Sequence, residues 1–286
     1  MDGTVRQRGT EEAVPPAKEE LRPSLHVAAW KFVNRHSALM ALFSLVCFVV
    51  FWQLSSGYLI SSFLIPPPTA VVRAAIPMMY SGEYFQDVGI SLFRIFIGFA
   101  SGTAAGVFLG LLLGRLWFIR QLFDPIIEVL RYLSPTAMIP IAVIWFGIGE
   151  MSKYFLIFWG TFFIIVVSTI DGVLRVPVTR VRAAQCLGAS RVQIFTRILI
   201  PTILPAIITG MRLAMASSFM SIIPAEMLAA DSGIGYLLQA SASLAQTDRI
   251  FVALVTISVL GVMVDSLFRF MTRRLLHRYT VYLAAS

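Results

Sequence analysis

The sequence predicts an all-α, polytopic membrane protein with about six transmembrane helices. Three observations predict it. Of 286 residues, 58% are hydrophobic and only 13% charged, whereas a soluble domain is about half apolar and about a quarter charged. Apolar stretches near the length of about 20 residues that crosses a bilayer recur along the chain. Lys and Arg fall on one set of connecting loops far more than on the other, the bias that orients membrane proteins. Every span must be a helix, because hydrocarbon offers no partner to an open backbone N–H or C=O.

Residues 1–36 are polar, with Glu11, Glu12, Glu19 and Glu20. They read as an N-terminal cytoplasmic arm too poor in apolar residues to fold. No apolar core followed by a cleavage-type sequence makes them a removable signal. The transmembrane domain is placed at 37–276, with spans at about 38–54, 92–116, 125–148, 154–174, 202–225 and 251–270; a cytoplasmic tail occupies 277–286. With the N-terminus inside, the cytoplasm receives Arg115, Arg120, Arg175, Arg180, Arg182, Arg191, Arg197, Arg273, Arg274 and Arg278, besides Lys31 and Arg35. The outside receives Arg73, Lys153 and Arg249, with Arg94 near the boundary, so both termini are predicted to be cytoplasmic. The outer loop 55–91 contains "LIPPPTAVV". After three prolines, the residues that follow fit either a short surface helix or an irregular connector.

In the second span Gly98, Gly102, Gly106, Gly110 and Gly114 recur every fourth residue and so share one side of a helix. Glycine in a helix costs about 1 kcal/mol against alanine, so something must press on that stripe. Packing against a helix of the same subunit is favoured over a dimer contact or sliding surface. The third span carries Pro125, Pro135 and Pro140. Pro125 suits a helix start capped by Asp124, and the other two break the span. Ser134, Thr136 and Met138 lie at the break. They border the translocation path, or they belong to a packed kink. Ser217, Ser221 and Glu226 of the fifth span are the other path candidates; Glu226 either lines an outer gate or points to water. Glu128 with Arg131, and Asp265 with Arg269, are spaced to pair along one helix face.

No catalytic residue suggests itself. The chain lacks the G-x-x-x-x-G-K-[ST] order that cradles a nucleotide. His26, His36 and His277 lie near the ends, and Cys47 and Cys186 lie in a span and a loop, so no metal site is expected. The net charge of +8 is the inner-loop bias rather than a nucleic-acid footprint.

Residues 180–201, "RVRAAQCLGASRVQIFTRILIP", form a basic, half-apolar segment between the fourth and fifth spans. Thr179 can cap a first short helix, and Gly188 suits the left-handed turn that ends it. Ser190 with Gln193 fits a capping box for a second helix. There Val192, Phe195, Ile198 and Leu199 make an apolar stripe, and Pro201 marks a bend into the fifth span. The result is a helix–turn–helix protrusion; the bland alternative is a connector lying on lipid headgroups.

The pattern Ala183, Ala184, Gly188, Ile198 and Pro201 resembles the coupling signature of binding-protein-dependent ABC importer permeases, and the resemblance implies that Arg182, Ala189 and Ser190 belong with these residues to the ATPase-coupling set. The signature's leading Glu is Arg182 here, and its Leu before the proline is Ile200. "PPPTAVV", "SLFRIFIGF", "DPIIEVLRYLSPTAMIPIAVIWFGIGEMSK" and "AEMLAADSGIGYLL" extend the likeness over about residues 64–276, toward the nitrate, sulfonate, taurine and bicarbonate branch. The resemblance implies the type I importer (MetI-like) permease fold with coupling helices at 177–201. It implies two permease copies, two cytoplasmic ATPase subunits that grip these helices, and an outer solute-binding protein. This chain would bind no cofactor, since ATP and Mg are used by the partner ATPase. The solute expected is a small anion, with an aromatic or heterocyclic solute as the alternative within the branch. A stand-alone secondary transporter would show repeated halves or intramembrane ion ligands, and neither is evident.

Overall fold

The computed structural model describes residues 37–59 and 61–284; the N-terminal arm expected over 1–36 lies outside them. The chain divides into two units at residue 54. The first unit holds most of helix α1 (Ser37–Tyr58), an apolar rod that loses helical backbone at Ser56 and Gly57. The other described helices all belong to the second unit. They are α2 (Pro68–Tyr80), α3 (Glu83–Arg115), α4 (Trp117–Arg131), α5 (Ile139–Phe146), α6 (Glu150–Leu174), α7 (Val178–Cys186), α8 (Arg191–Ile194), α9 (Ile200–Ala229), α10 (Ile234–Ser243) and α11 (Thr247–Ala284). Among the described residues, four helices are long and apolar enough to cross a membrane: Glu83–Arg115, Glu150–Leu174, Arg191–Leu228 and Thr247–Thr272. Leu42–Tyr58 is apolar but shorter.

Of the two readings of the proline-rich outer loop, the helix is the one adopted. Pro67 caps α2 with extended backbone, and Pro68 occupies its first turn, where a missing N–H costs nothing. The third predicted span differs from expectation. It is two pieces, α4 and α5, of 15 and 8 residues. At 1.5 Å per residue they reach only about 22 and about 12 Å, each short of the roughly 30 Å hydrocarbon. Pro125 does not start a helix; it lies inside α4, which begins at Trp117. Pro140 does sit in the first turn of its helix, α5, so the break falls between Arg131 and Ile139.

Helix α6 is the pillar of the second unit, and the glycine ladder explains how α3 lies against it. A Cβ at Gly98 would meet Ile157 Cβ at 2.5 Å; at Gly106 it would meet Ile165 at 2.8 Å, at Gly110 Thr169 at 2.6 Å, and at Gly114 Val173 at 2.8 Å. At Gly102 it would overlap the hydroxyl of Thr161. Both helices therefore contribute a row with a repeat of four, and the ladder is an intrasubunit seam, as favoured from sequence. A repeat longer than 3.6 keeps two helices in register only if they wind right-handedly about each other. Over 16 residues the seam runs about 24 Å. On the other flank of α6, Leu113, Ile127, Phe163, Val166 and Ile170 form one apolar cluster. A second joins Met138, Ile139, Ala142, Leu156 and Ala225. Helix α9 also approaches α6 through small residues: a Cβ at Gly210 would meet Ser168 at 2.5 Å, and one at Gly172 would meet Ala206 at 2.9 Å.

Candidate coupling segment and translocation surface

The segment between α6 and α9 is built by two local devices. Pro177, with extended backbone, precedes α7, so the helix starts at Val178 and Thr179 lies in its first turn rather than capping it. Its end is a Schellman turn: the Ala189 N–H donates to Ala184 O at 3.0 Å and the Gly188 N–H to Gln185 O at 3.0 Å. Gly188 has φ +76 with nothing within 4 Å of an added Cβ, so conformation alone selects glycine there. The predicted capping box is present: the Gln193 N–H donates to Ser190 Oγ at 3.3 Å and the Ser190 N–H to Gln193 Oε1 at 2.8 Å.

The second helix departs from the α-helical reading. Residues Phe195–Leu199 form a π-turn, and the Ile200 N–H reaches back five residues to Phe195 O. Pro201 has no N–H to continue an α-ladder, and the wider turn before it absorbs the mismatch. Two corrections follow. The predicted stripe keeps Phe195, Ile198 and Leu199, half-buried with Ile194, but loses Val192, which is 70% exposed. Pro201 does not separate a coupling helix from the span, because Arg191–Leu228 is one continuous helix. Arg182, Ala183, Ser190 and Gly188 are exposed, as are Cys186 and Leu187, the latter at 88%.

At the break between α4 and α5 lies a groove of about 520 Å³, bordered by Arg131, Ser134, Pro135, Trp159, Phe163, Leu213 and Ser217. The Trp159 indole donates to the Leu133 carbonyl at 3.1 Å, so this carbonyl of the break is satisfied from the groove wall, and Ser217 Oγ donates to Gly160 O of α6 at 2.9 Å. Of the predicted path residues, Ser134 and Ser217 meet here. Ser221 is buried beside them, its hydroxyl donating to Ser217 O at 2.8 Å. Thr136 is exposed and lies outside the groove lining, and Met138 is packed in the apolar cluster at 5% exposure.

Glu226 does not point to water: it is wholly buried. One oxygen accepts from Arg94 Nη1 at 2.8 Å, the other from the Gly235 N–H at 2.8 Å, and Ser91 Oγ lies within 2.9 Å of both. Arg94 also forks onto Glu150 at 2.6 and 2.7 Å and donates to Ser232 O at 2.7 Å. Lys153 closes on Glu150 at 2.9 Å. The Asp87 carboxylate and the Ser91 hydroxyl accept from the N–H groups of Gly233 and Ile234. One guanidinium thus binds α3, α6, α9 and the α9–α10 loop together. A Cβ at Gly233, φ +113, would strike the Glu226 carboxyl at 2.5 Å, so glycine is required there twice over. No partner for Arg94 could be read from local spacing, because its partners lie 56 and 132 residues away. An arginine in the interior of a span was the available signal, and it applied equally to Arg212. Arg212 pairs with Asp265 at 2.8 Å, joining the expected Asp265–Arg269 pair at 3.2 Å. The Glu128–Arg131 pair forms at 3.0 Å. Among the described residues, no cluster of three or more His, Cys, Asp or Glu side chains is arranged to hold a metal.

The family described as binding-protein-dependent transport system inner membrane component matches residues 102–277. An ABC transporter permease protein of Brucella melitensis is 36% identical over 74% of this chain and 86% of its own. The taurine transport system permease protein TauC of Escherichia coli is 31% identical over 86% of this chain and 92% of its own. The aliphatic sulfonates transport permease protein SsuC of the same organism is 36% identical over 76% and 83%. In structure, the MetNI methionine ABC transporter in an inward-facing conformation aligns with TM-score 0.58 and 20% identity, over 71% of this chain and 98% of that one, which fixes the fold. On these grounds the chain belongs to the binding-protein-dependent transport system inner membrane component family, as an ABC transporter permease of the nitrate, sulfonate and taurine branch.

Proposed function

We propose that this permease forms half of the membrane path of an ATP-driven importer for a small anion, with a sulfonate such as taurine as the first candidate and nitrate or bicarbonate next. Two copies would make the path, two ATPase subunits would hold ATP and Mg, and a solute-binding protein would deliver cargo from outside. The observation that carries the coupling role is the capped, exposed α7–α8 protrusion, which runs into the α9 span through a hydrogen-bonded π-turn. A rigid element of that kind transmits rigid-body displacement into the bundle. The chain itself would hydrolyse nothing, and both termini would be cytoplasmic.

For the path, Ser134 and Ser217 in the groove lining give polar contacts, and Arg131 in the same lining suits an anion. Trp159, Phe163 and Tyr132 around the same groove favour the second reading, an aromatic or heterocyclic solute. The test is uptake into vesicles containing the permease with and without its ATPase. The expected result is ATP-dependent accumulation only with the ATPase, blocked by excess unlabelled taurine if the solute is a sulfonate. Uptake that proceeds without ATP would reject the importer reading.

A further inference from the structure

The groove at the α4–α5 break continues past Arg131. A second groove, of about 240 Å³, is lined by Arg120, Asp124, Glu128, Arg131, Val167 and Asp171, and it shares Arg131 and Val167 with the first. Together the two follow α6 from Trp159 to Leu174, about 22 Å along the helix. Leu174 ends α6, and the basic α7–α8 segment follows it, which makes this the cytoplasmic end. The furrow thus runs from mid-membrane to the inner mouth.

Its two sections differ in charge. Among the described residues, Arg131 is the one charged side chain of the mid-membrane section, beside the hydroxyls of Ser134, Ser168 and Ser217. The inner section sets Arg120 and Arg131 against Asp124, Glu128 and Asp171, a surplus of one negative charge. Arg120 pairs with Asp124 at 3.3 Å and Arg131 with Glu128 at 3.0 Å, so the surplus sits on Asp171. Arg131 itself is only partly committed. Its Nη2 donates to Glu128 Oε1 at 3.0 Å and to the Tyr132 hydroxyl at 3.2 Å. Both bonds use one nitrogen, so Nε and Nη1 keep donors that suit an oxyanion. The Arg131 side chain is 36% exposed, and Val167, which borders both grooves with it, lies about 10 Å before the end of α6. Ionisable groups at such depth face water-filled paths, because hydrocarbon penalises them.

We infer that the inner groove is the cytoplasmic exit of the path and that Arg131 is its charge-reading residue. Arg131 exchanges Glu128 for the oxyanion of the solute. The surplus acidic charge beyond it then sends the anion on to the cytosol and turns cytosolic anions back. A path needs a contact strong enough to admit the solute and weak enough to release it; a guanidinium with a carboxylate ready to retake it meets both conditions. The inference rests on the importer reading and on the membrane orientation proposed above.

The test uses Ser134→Cys, beyond Arg131 as seen from the cytosol, in a chain carrying Cys47→Ser and Cys186→Ser. Inside-out vesicles receive sulfonatoethyl methanethiosulfonate, itself a sulfonate, or its trimethylammonium counterpart. Both reagents should label Ser134→Cys from the cytoplasmic face. Arg131→Gln should slow the anionic reagent about fivefold, as for one unit charge at contact in water, without slowing the cationic one. Arg131→Lys should restore the anionic rate. Asp171→Asn, at an exposed position, should speed the anionic reagent about twofold, the smaller effect of a charge that salt water screens. A thiol at position 134 out of reach from the cytoplasmic face would overturn the exit. Arg131 variants that slow both reagents alike, or neither, would make the residue structural, and an Asp171→Asn without effect would remove the repulsive mouth; either result overturns the charge reading. The labelling rates require neither ATPase nor uptake, so their failure and a failure of the importer reading are separable.

Discussion

Gly188 and Gly233 carry different constraints although both are left-handed. At Gly188 space is open and only the backbone objects, so Gly188→Val should strain the turn by about 1–2 kcal/mol. We expect the variant to fold and insert but to lose coupling, read as ATPase turnover without proportionate uptake; coupling equal to wild type would count against the Schellman turn as the rigid element. At Gly233 the obstacle is the Glu226 carboxyl itself. Removing one partner of a buried ion pair costs about 3–5 kcal/mol, because it leaves a charge uncompensated. Glu226→Ala should therefore lower the unfolding temperature in detergent far more than Glu128→Ala, whose pair with Arg131 is exposed and is worth about 0–1 kcal/mol. Equal effects of the two would show that Arg94 is not the hub of this end of the bundle.

Among the elements, the α3–α6 seam makes the sharpest contrast. Gly102→Ala should be strongly destabilising, since the new methyl overlaps Thr161 in a seam of two backbones. Gly89→Ala, in the same helix with nothing within 4 Å, should be neutral or stabilising by up to about 1 kcal/mol through helix propensity. Paired thermal melts of the two proteins decide it. This seam was legible because a repeat is a local signal: five glycines at one spacing declare a face without reference to the partner. The capping box and the Gly188 turn were legible for the same reason. The break in the third span was legible too, but not its extent: α4 begins at Trp117, and the packing of its Ile127 among Leu113, Phe163 and Ile170 is a long-range contact that no local pattern shows. The π-turn escaped, since a pattern of apolar residues assumes one period and cannot register a change of period. The Arg94 network escaped because every bond that Arg94 itself makes is long-range.

For the molecule as a whole, topology is the property most open to direct measurement. In a Cys47→Ser background, Cys186 is the remaining thiol, and it is exposed on α7. A membrane-impermeant maleimide should label it in inside-out vesicles and not in intact cells; the reverse would invert the whole orientation and with it the coupling reading.

The continuous helix from Arg191 to Leu228 has one more implication. Its 38 residues make a beam of about 57 Å. Gly210, at its midpoint, is pressed against Ser168 of α6, and Glu226 is held near its far end. A beam supported at its centre behaves as a see-saw: a push on the Ser190 end in one direction swings the Glu226 end in the other, by a similar distance. The fulcrum requires a residue without a side chain, so a bulky substitution at position 210 would shift the balance point rather than either end.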